Sequence, residues 1–318
     1  MADLLKNPIF NDETAARKWL EARVWPKGPV CPHCGGTGDD VTELEAGSHR
    51  AGLFQCNQCR EQFTVTVKTV FERSKIPLTK WLAALFLMTA SKKGVSAHQV
   101  HRMLGISYKS TWFMMHRLRE AMRQGGLEPL GGTGKVVEAD ETYFGNIPEA
   151  QRPKFTKSGR PVSKNPGGPK NKRAIVALVE RGGRVRAFHP AVADGATVAK
   201  IVRDNIVRET RLHTDESKLY HGVGKEFASH ETVAHSLGEY VRGDVNTNTI
   251  EGYFSIFKRG MRGVYQHCSE KHLHRYLAEF DFRYNNRAAL GVDDTMRAET
   301  LAAGIVGKRL TYRRPHQA

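Results

Sequence analysis

Negative charge is what this chain has least of: against 49 Lys and Arg stand only 33 Asp and Glu in 318 residues, a formal net charge of +16. Such a field attracts polyanions, and the cations are spread through the whole chain instead of gathered in one tail. Charge alone leaves a ribosomal protein, a merely solubilised basic protein or a binder of anionic membrane as alternatives to a DNA or RNA binder. Long apolar runs are also missing. The longest, Trp81 to Met88, falls far short of the roughly 20 residues a membrane-spanning helix needs and reads as a core helix. The first residues, MADLLKNPIF, lack the apolar stretch of a secretory signal. Five cysteines cannot pair into an even disulfide framework, which points to a reducing, cytoplasmic compartment. No internal repeat or low-complexity tract is visible. A chain longer than the roughly 100 to 200 residues of one domain is therefore expected to hold two or three distinct units.

The character of the sequence changes three times before residue 175. NDETAARKWLEARVW, 11–25, opens with cap-type residues and spaces Ala15, Trp19 and Leu20 as one helix face until Pro26 and Gly28 stop it. A cysteine segment follows, and together these predict an N-terminal helix and metal ribbon over 1–75. From 76 to 124 the pattern is helical, with Trp81, Leu82, Leu85 and Phe86 on one face; GGLEPLGGTGK then reads as a linker over 125–134. A catalytic domain is expected over 135–318. Strand composition marks KVVEADETYFG, AIVALVE, RVRAFHPAV and RLHTDES, and helical periodicity marks VAKIVRDNIV and NTIEGYFSIFKRGM. Between the first two strands, 146–172 is rich in Pro, Gly and Lys, and is expected to be mobile without DNA. Periodicity supports an α/β mixed sheet with flanking helices, and the element order fits an RNase H-like sheet.

CPHC at 31–34 and CNQC at 56–59 form a pair of Cys-x-x-Cys knuckles, so Cys31, Cys34, Cys56 and Cys59 can present four thiolates to one Zn²⁺. Four thiolates leave no open position, which makes such a site structural. Pro32 and Gly35 suit the tight turn, and Phe54 and Phe63 are available to cover it. Cys268 stands apart and reads as a packed small side chain. In GVSAHQVHRMLGISYKSTWFMMHRLREAM, 94–122, Val100 and Leu104 share a face, Gly105 marks a turn, and Trp112, Met115 and Leu118 can pack back from a second helix. That is the spacing of a helix-turn-helix. Lys109, Ser110, Thr111 and His116 are then expected on the groove-facing side, with Arg117 and Arg119 available for phosphates. A plain packing hairpin would share the same pattern.

Asp140, Asp215 and Glu251 stand in a first strand, at the end of a later strand and early on a helix, where an RNase H-like sheet would bring them together. Cleaving a phosphodiester calls for hard cations held by oxygen ligands, typically a pair of Mg²⁺ ions. VEADETYFGN, LHTDES and the long segment 240–287 resemble the DDE transposases of bacterial insertion sequences, in particular the group with an N-terminal zinc ribbon. The resemblance covers nearly the whole chain. It implies Asp140, Asp215 and Glu251 as the metal-binding triad, with Mg²⁺ or Mn²⁺ as cofactor and structural zinc in the ribbon. Lys258, seven positions after Glu251, matches the basic residue that follows the third acid; two helical turns place both on one face. Asn248 is a rival third ligand, because some members of the group use Asn there. Asn246 and Gln266 stand where relatives often have His, so no role is assigned to them. Glu138 shares the strand face of Asp140 and reads as structural, whereas Glu141 is expected to point the other way.

The resemblance further implies hydrolysis at the element ends, releasing a 3′-hydroxyl that attacks target DNA, with terminal inverted repeats and target DNA as partners. Two ends cut together imply at least a dimer, acting in the cytoplasm at the nucleoid. Two other functions stay in view. A zinc-ribbon transcription regulator would need no triad. A tyrosine recombinase would use His272 and Arg275, a His-x-x-Arg spacing, with Tyr312 as nucleophile.

Overall fold

The computed structural model describes residues 6–123, 125–147, 159, 161 and 171–311. Most of the expected mobile loop 146–172, and Tyr312, lie outside the described residues. The chain divides into two compact units: Met1–Gln124 with Arg287–Ala318, and Gly125–Asn286.

In the first unit, α1 (Glu13–Val24) starts at Asp12, whose side chain accepts the Thr14 N–H. Leu20 is buried with Ala16 beside it, while Ala15 and Trp19 stand half-buried at the margin of that face. The ribbon follows as a three-stranded antiparallel sheet, β1 (Val41–Glu43), β2 (Phe54–Cys56) and β3 (Gln62–Phe63). Its core is little more than Phe54 stacked on Phe63 at 5.8 Å, with the edge of Trp25 against both rings. So few apolar side chains cannot hold a fold without a metal or other staple.

Helix α2 (Leu78–Ala90) buries Trp81, Leu82, Leu85 and Phe86, the expected apolar face. Its N-cap, Pro77, has no side-chain acceptor; instead the Glu13 carboxylate accepts the N–H groups of Leu78 and Thr79 at 2.6 and 3.2 Å. Helices α3 (Ala97–Leu104) and α4 (Tyr108–Met122) form the helix-turn-helix. Gly105 takes the left-handed conformation that the turn requires, and Ser96 and Ser107 cap the two helices.

The second unit is a five-stranded sheet: β4 (Val136–Asn146), β5 (Lys172–Glu180), β6 (Val185–Phe188), β7 (Arg211–Asp215) and β8 (Ser229–Val233), in the order β6-β5-β4-β7-β8. The first three strands run antiparallel, and β7 and β8 add parallel to β4. This is the expected RNase H-like mixed sheet. Helices α5 (Gly195–Asn205) and α6 (His221–Gly224) follow β6 and β7, and the hairpin β9 (Val241–Arg242) and β10 (Val245–Asn246) leads into α7 (Asn248–Gly260). A π-helical turn, Met261–Tyr265, continues α7 before α8 (Glu270–Asn285).

Both faces of the sheet are covered, which is why β5 reads as an unbroken apolar run. Its Val176 and Leu178 join Val198, Val202 and Tyr220 on one side; Ile175, Ala177 and Val179 join Ile250, Phe257 and Leu277 on the other.

The C-terminal boundary differs from the expected one. Residues from Arg287 on belong to the first unit, through α9 (Asp294–Ala303), whose Ala298, Leu301 and Ala302 are buried. Arg297 donates to the carbonyl of Thr89, and Lys308 to those of Ala121 and Arg123, so the helix ends of the first unit are closed by the C-terminal segment. An amphipathic pattern predicts that a helix buries one face, not which unit receives it. Among the described residues no helix is long and apolar enough to cross a membrane.

Candidate functional site

The parallel pairing of β4 with β7 ends at Ala139 and Thr214, so Asp140 and Asp215 follow side by side just past it, while β4 runs on against β5. The Glu141 carboxylate joins them, each of the three offering an oxygen within 4.8 Å of the others. Glu141 was expected to point away from Asp140; it stays in the β4–β5 ladder, opposite Val176, yet its carboxylate reaches the same group. Ser217 ties the group together, its N–H donating to Asp215 Oδ1 at 3.0 Å and its hydroxyl to Glu141 Oε1 at 3.1 Å.

Glu251 comes from the first turn of α7, and one buried ion pair holds that helix in place. Glu138, fully buried on β4, accepts the Ile250 N–H at 2.9 Å, the Thr249 hydroxyl at 2.9 Å and the Arg181 guanidinium at 2.6 Å. Glu138 therefore caps α7 from the strand that carries Asp140. Arg181 also donates to the carbonyls of Asp244 and Asn246, anchoring the hairpin before α7. Sequence reading found Glu138 structural but missed Arg181, since nothing local distinguishes it from a surface arginine. The Glu251 carboxylate accepts the Thr247 hydroxyl at 2.9 Å and lies 3.6 Å from His235 Nε2. It stands outside the tight group of three but lines the same cleft of about 730 Å³, as do Asp140, Glu141, Lys258, Arg259 and Arg262. Asn248 is exposed and is not part of that lining.

Burial, reinforced by Asp215, Glu141 and more weakly Glu251, pushes the Asp140 carboxyl up to about 8. Burial also raises Glu141, whose Oε2 is buried without a hydrogen bond of normal geometry, although the nearby Tyr220 hydroxyl pulls its pKa back down. Crowded, desolvated carboxylates of this kind hold either shared protons or a cation. The donor set is all hard oxygen and the cleft is open to solvent, so these residues fit a divalent ion such as Mg²⁺ or Mn²⁺. Lys258 is half-buried at the other end of the cleft, its pKa lowered by burial and held up by Asp140.

The cysteines form the second metal group. Their four sulfurs lie within 4.8 Å of one another, with Cys31–Cys59 at 3.6 Å and Cys34–Cys56 at 3.5 Å. Thiolates about 2.3 Å from one tetrahedral Zn²⁺ would stand about 3.8 Å apart, so the arrangement fits zinc. Amides of the second knuckle, Cys59 and Gln58, draw the Cys56 thiol down to about 7, toward the thiolate a metal needs.

The helix-turn-helix surface corrects four residues. Lys109 and Ser110 are exposed in the first turn of α4. Thr111 is buried and its hydroxyl donates to the Ser107 carbonyl. His116 is buried against Trp112, with ring centroids 4.2 Å apart. Arg117 is buried and donates to the Glu72 carbonyl at 2.6 Å, with its guanidinium near the Trp81 ring, and Arg119 is buried as well. These four cannot face a groove. Helices α2, α3 and α9 pack around α4, so its fully exposed residues, Tyr108, Lys109 and Ser110, are confined to the first turn. The exposed residues beside that turn are His98 and Arg102 of α3 and Tyr108, which stacks on His98 at 4.2 Å. Reading α4 as a helix with one free face missed them; Met114, Met115, Leu118 and Met122 already wrap it on several sides. On α8, His272 and Arg275 are bonded to each other at 2.9 Å.

The ISXO2-like transposase domain matches residues 129–285, and the transposase zinc-ribbon domain matches residues 11–62. A protein in transposable element ISH50 of Halobacterium salinarum is 29% identical over 285 residues, covering 86% of this chain and 91% of that one. Among solved structures, a chain of the Mos1 strand transfer complex is 12% identical, covering 69% of this chain and 73% of that one, with a TM-score of 0.28. A chain of the simian T-cell lymphotropic virus intasome complex is 11% identical with a TM-score of 0.28; it is covered to 63% of its length, less than two thirds, by 57% of this chain. Superpositions this loose carry no residue correspondence.

Proposed function

Because the chain belongs to the DDE-type insertion-sequence transposases with an N-terminal zinc ribbon, we propose that it cuts the ends of its own element and joins them to target DNA. The observation that carries this reading is the meeting of Asp140, Asp215 and Glu141, two of which line an open cleft together with Glu251 and Lys258. Asp140, Asp215 and Glu251 would hold Mg²⁺ or Mn²⁺, with Glu141 against the first two. Bound there, the ions activate the attacking oxygen and stabilise the leaving one. Lys258 holds a phosphate of the scissile strand while the carboxylates remain at the metal end. Hydrolysis frees a 3′-hydroxyl at the element end, whose oxygen then attacks a target phosphorus in the same cleft, forming a new phosphodiester as the target's own 3′-oxygen leaves. The exposed first turn of α4, with Lys109 and Ser110, and neighbouring Arg102 recognise the terminal inverted repeats, and the spread of cations supplies salt-sensitive phosphate contacts. A dimer or larger assembly pairs the two ends, at the nucleoid in the cytoplasm. A transcription regulator would have no use for a desolvated carboxylate group, and that favours the transposase.

An in vitro strand-transfer assay with the element's ends tests the proposal. Asp140→Asn, Asp215→Asn and Glu251→Gln should each abolish cleavage and joining while leaving end binding intact, because the amides keep the shape and lose the charge. Near wild-type cleavage by Glu251→Gln beside a dead Asn248→Ala would move the third ligand to Asn248. Cleavage that needs no divalent metal would overturn the reading.

A further inference from the structure

Glu251, Ser255, Lys258 and Arg262 follow one another at steps of four, three and four residues, which makes them one stripe along α7 and its continuation. All four line the cleft. At about 1.5 Å per residue, Lys258 lies about 10 Å along the helix from Glu251 and Arg262 about 6 Å farther. Arg262 stands in the π-helical turn, and that turn ends on Gln266 with a φ of 57°, a left-handed conformation in a residue other than glycine. Such turns and strained residues persist where surrounding structure enforces them, often at sites of function.

The cations at this end of the cleft are not equivalent. Arg259 is turned along its own helix and donates to the Ser255 carbonyl and hydroxyl at 3.2 and 2.8 Å. Arg262, Lys258 and, at the start of β5, Lys172 have no carboxylate partner within salt-bridge distance among the described residues. Burial lowers the pKa of Lys258 most and Asp140 raises it, while Arg262 and Lys172 add to the lowering as like charges do. Lys258 and Arg262, two cations lining one solvent-open cleft a helical turn apart, suit an anion with more than one charged group.

We propose that Arg262 is a second phosphate-binding residue of this cleft, gripping the same DNA strand as Lys258 one phosphate or more farther from the carboxylates. Two grips along one helix face would fix the register of the strand, and so which phosphodiester lies over Asp140 and Asp215. This rests on the transposase reading above.

The probe is a fluorescent 40-base-pair duplex ending in the inverted repeat that flanks the coding sequence, and a series of the same duplex with one methylphosphonate, which is uncharged, at each position near the end. Arg262→Gln should weaken binding about tenfold and lower the slope of log K against log salt by about 0.9; Arg262→Lys should restore most of both. One methylphosphonate should weaken the unaltered chain about as much and cause no further loss in Arg262→Gln. A different one should do the same for Lys258→Gln. If Arg262→Gln binds like the unaltered chain, or its loss persists with every methylphosphonate, Arg262 grips no phosphate. If the unaltered chain fails to bind the end duplex or to nick it with Mg²⁺, the transposase reading falls together with this one.

Discussion

The two metal groups of this chain solve opposite problems. In the ribbon, four sulfurs already stand at nearly the spacing of a tetrahedral zinc site, held by short backbone turns. In the cleft, three carboxylates crowd together with Asp140 pushed up to about 8, and a fourth acid, Glu251, stands apart on a helix. A site whose ligands close around the ion is built for stability. One whose ligands repel and leave room is built for an ion that also touches a substrate. The contrast extends to the units themselves, since all four tryptophans, Trp19, Trp25, Trp81 and Trp112, lie in the first unit. Tryptophan fluorescence therefore reports on the ribbon unit alone, and circular dichroism on both.

The largest effect should follow loss of zinc. Cys31→Ser, or chelation, should unfold the ribbon and change tryptophan emission, because the Phe54, Phe63 and Trp25 cluster is too small to persist alone. Zinc should be found at one ion per chain, and replacing all four cysteines should remove it. Full zinc content in that fourfold variant would place the metal elsewhere. The sheet contribution to circular dichroism should survive.

A smaller effect, in the opposite unit, is set by Asp140. Its folded pKa of about 8 lies above the ordinary value of 3.8. The folded chain therefore keeps a proton that the unfolded chain has released, so this group's stabilisation is complete below about pH 4 and is lost as pH rises through 8. Without divalent ions, stability followed by circular dichroism should fall by about 6 kcal/mol at most across that window. Asp281, buried and raised to about 7, adds a slope of the same sign. The two can be separated. Mg²⁺ should relieve only the Asp140 part, and Asp140→Asn should abolish the Mg²⁺ response while leaving the Asp281 part. A slope insensitive to both would mean that the carboxylates are not crowded as described.

The same two sites show how much the sequence reveals. Cys-x-x-Cys knuckles are local, so spacing alone names their ligands. Asp140, Asp215 and Glu251 are spread over more than a hundred residues, and only the wider resemblance picked them from 33 acids. Strands β4 to β7 and helices α5 and α7 followed from periodicity; the short α6, the hairpin β9–β10 and β8 did not, and the SHETV of β8 pairs with β7 at the edge of the sheet with no apolar alternation. What stayed hidden depends on neighbours distant in sequence: Glu13 capping α2, Arg181 holding Glu138, α9 packing with the first unit, and the burial of Thr111, His116 and Arg117. The place of Glu141 in the carboxylate group was missed for a related reason, because it depends on Asp215 and Ser217, which β7 brings alongside.

The smallest effect compares the two halves of the ribbon. In the first knuckle Gly35, at φ 85°, donates its N–H to the Cys31 carbonyl at 2.9 Å; in the second, Arg60, at φ 63°, donates to the Cys56 carbonyl at the same distance. The two positions are equivalent, yet only one holds the residue that the left-handed conformation favours. A side chain there costs about 1 to 2 kcal/mol, and glycine gives back roughly 0.5 to 1 kcal/mol through the freedom it has when unfolded. Arg60→Gly should therefore be neutral or stabilise the zinc-loaded ribbon by up to about 1 kcal/mol. Arg60→Val, whose branched side chain tolerates this conformation poorly, should weaken it by more than that. Competition for zinc against a chelator, followed by tryptophan emission, reads both. A clear loss of zinc affinity in Arg60→Gly would mean that the exposed Arg60 side chain does something for the ribbon that its backbone conformation does not explain.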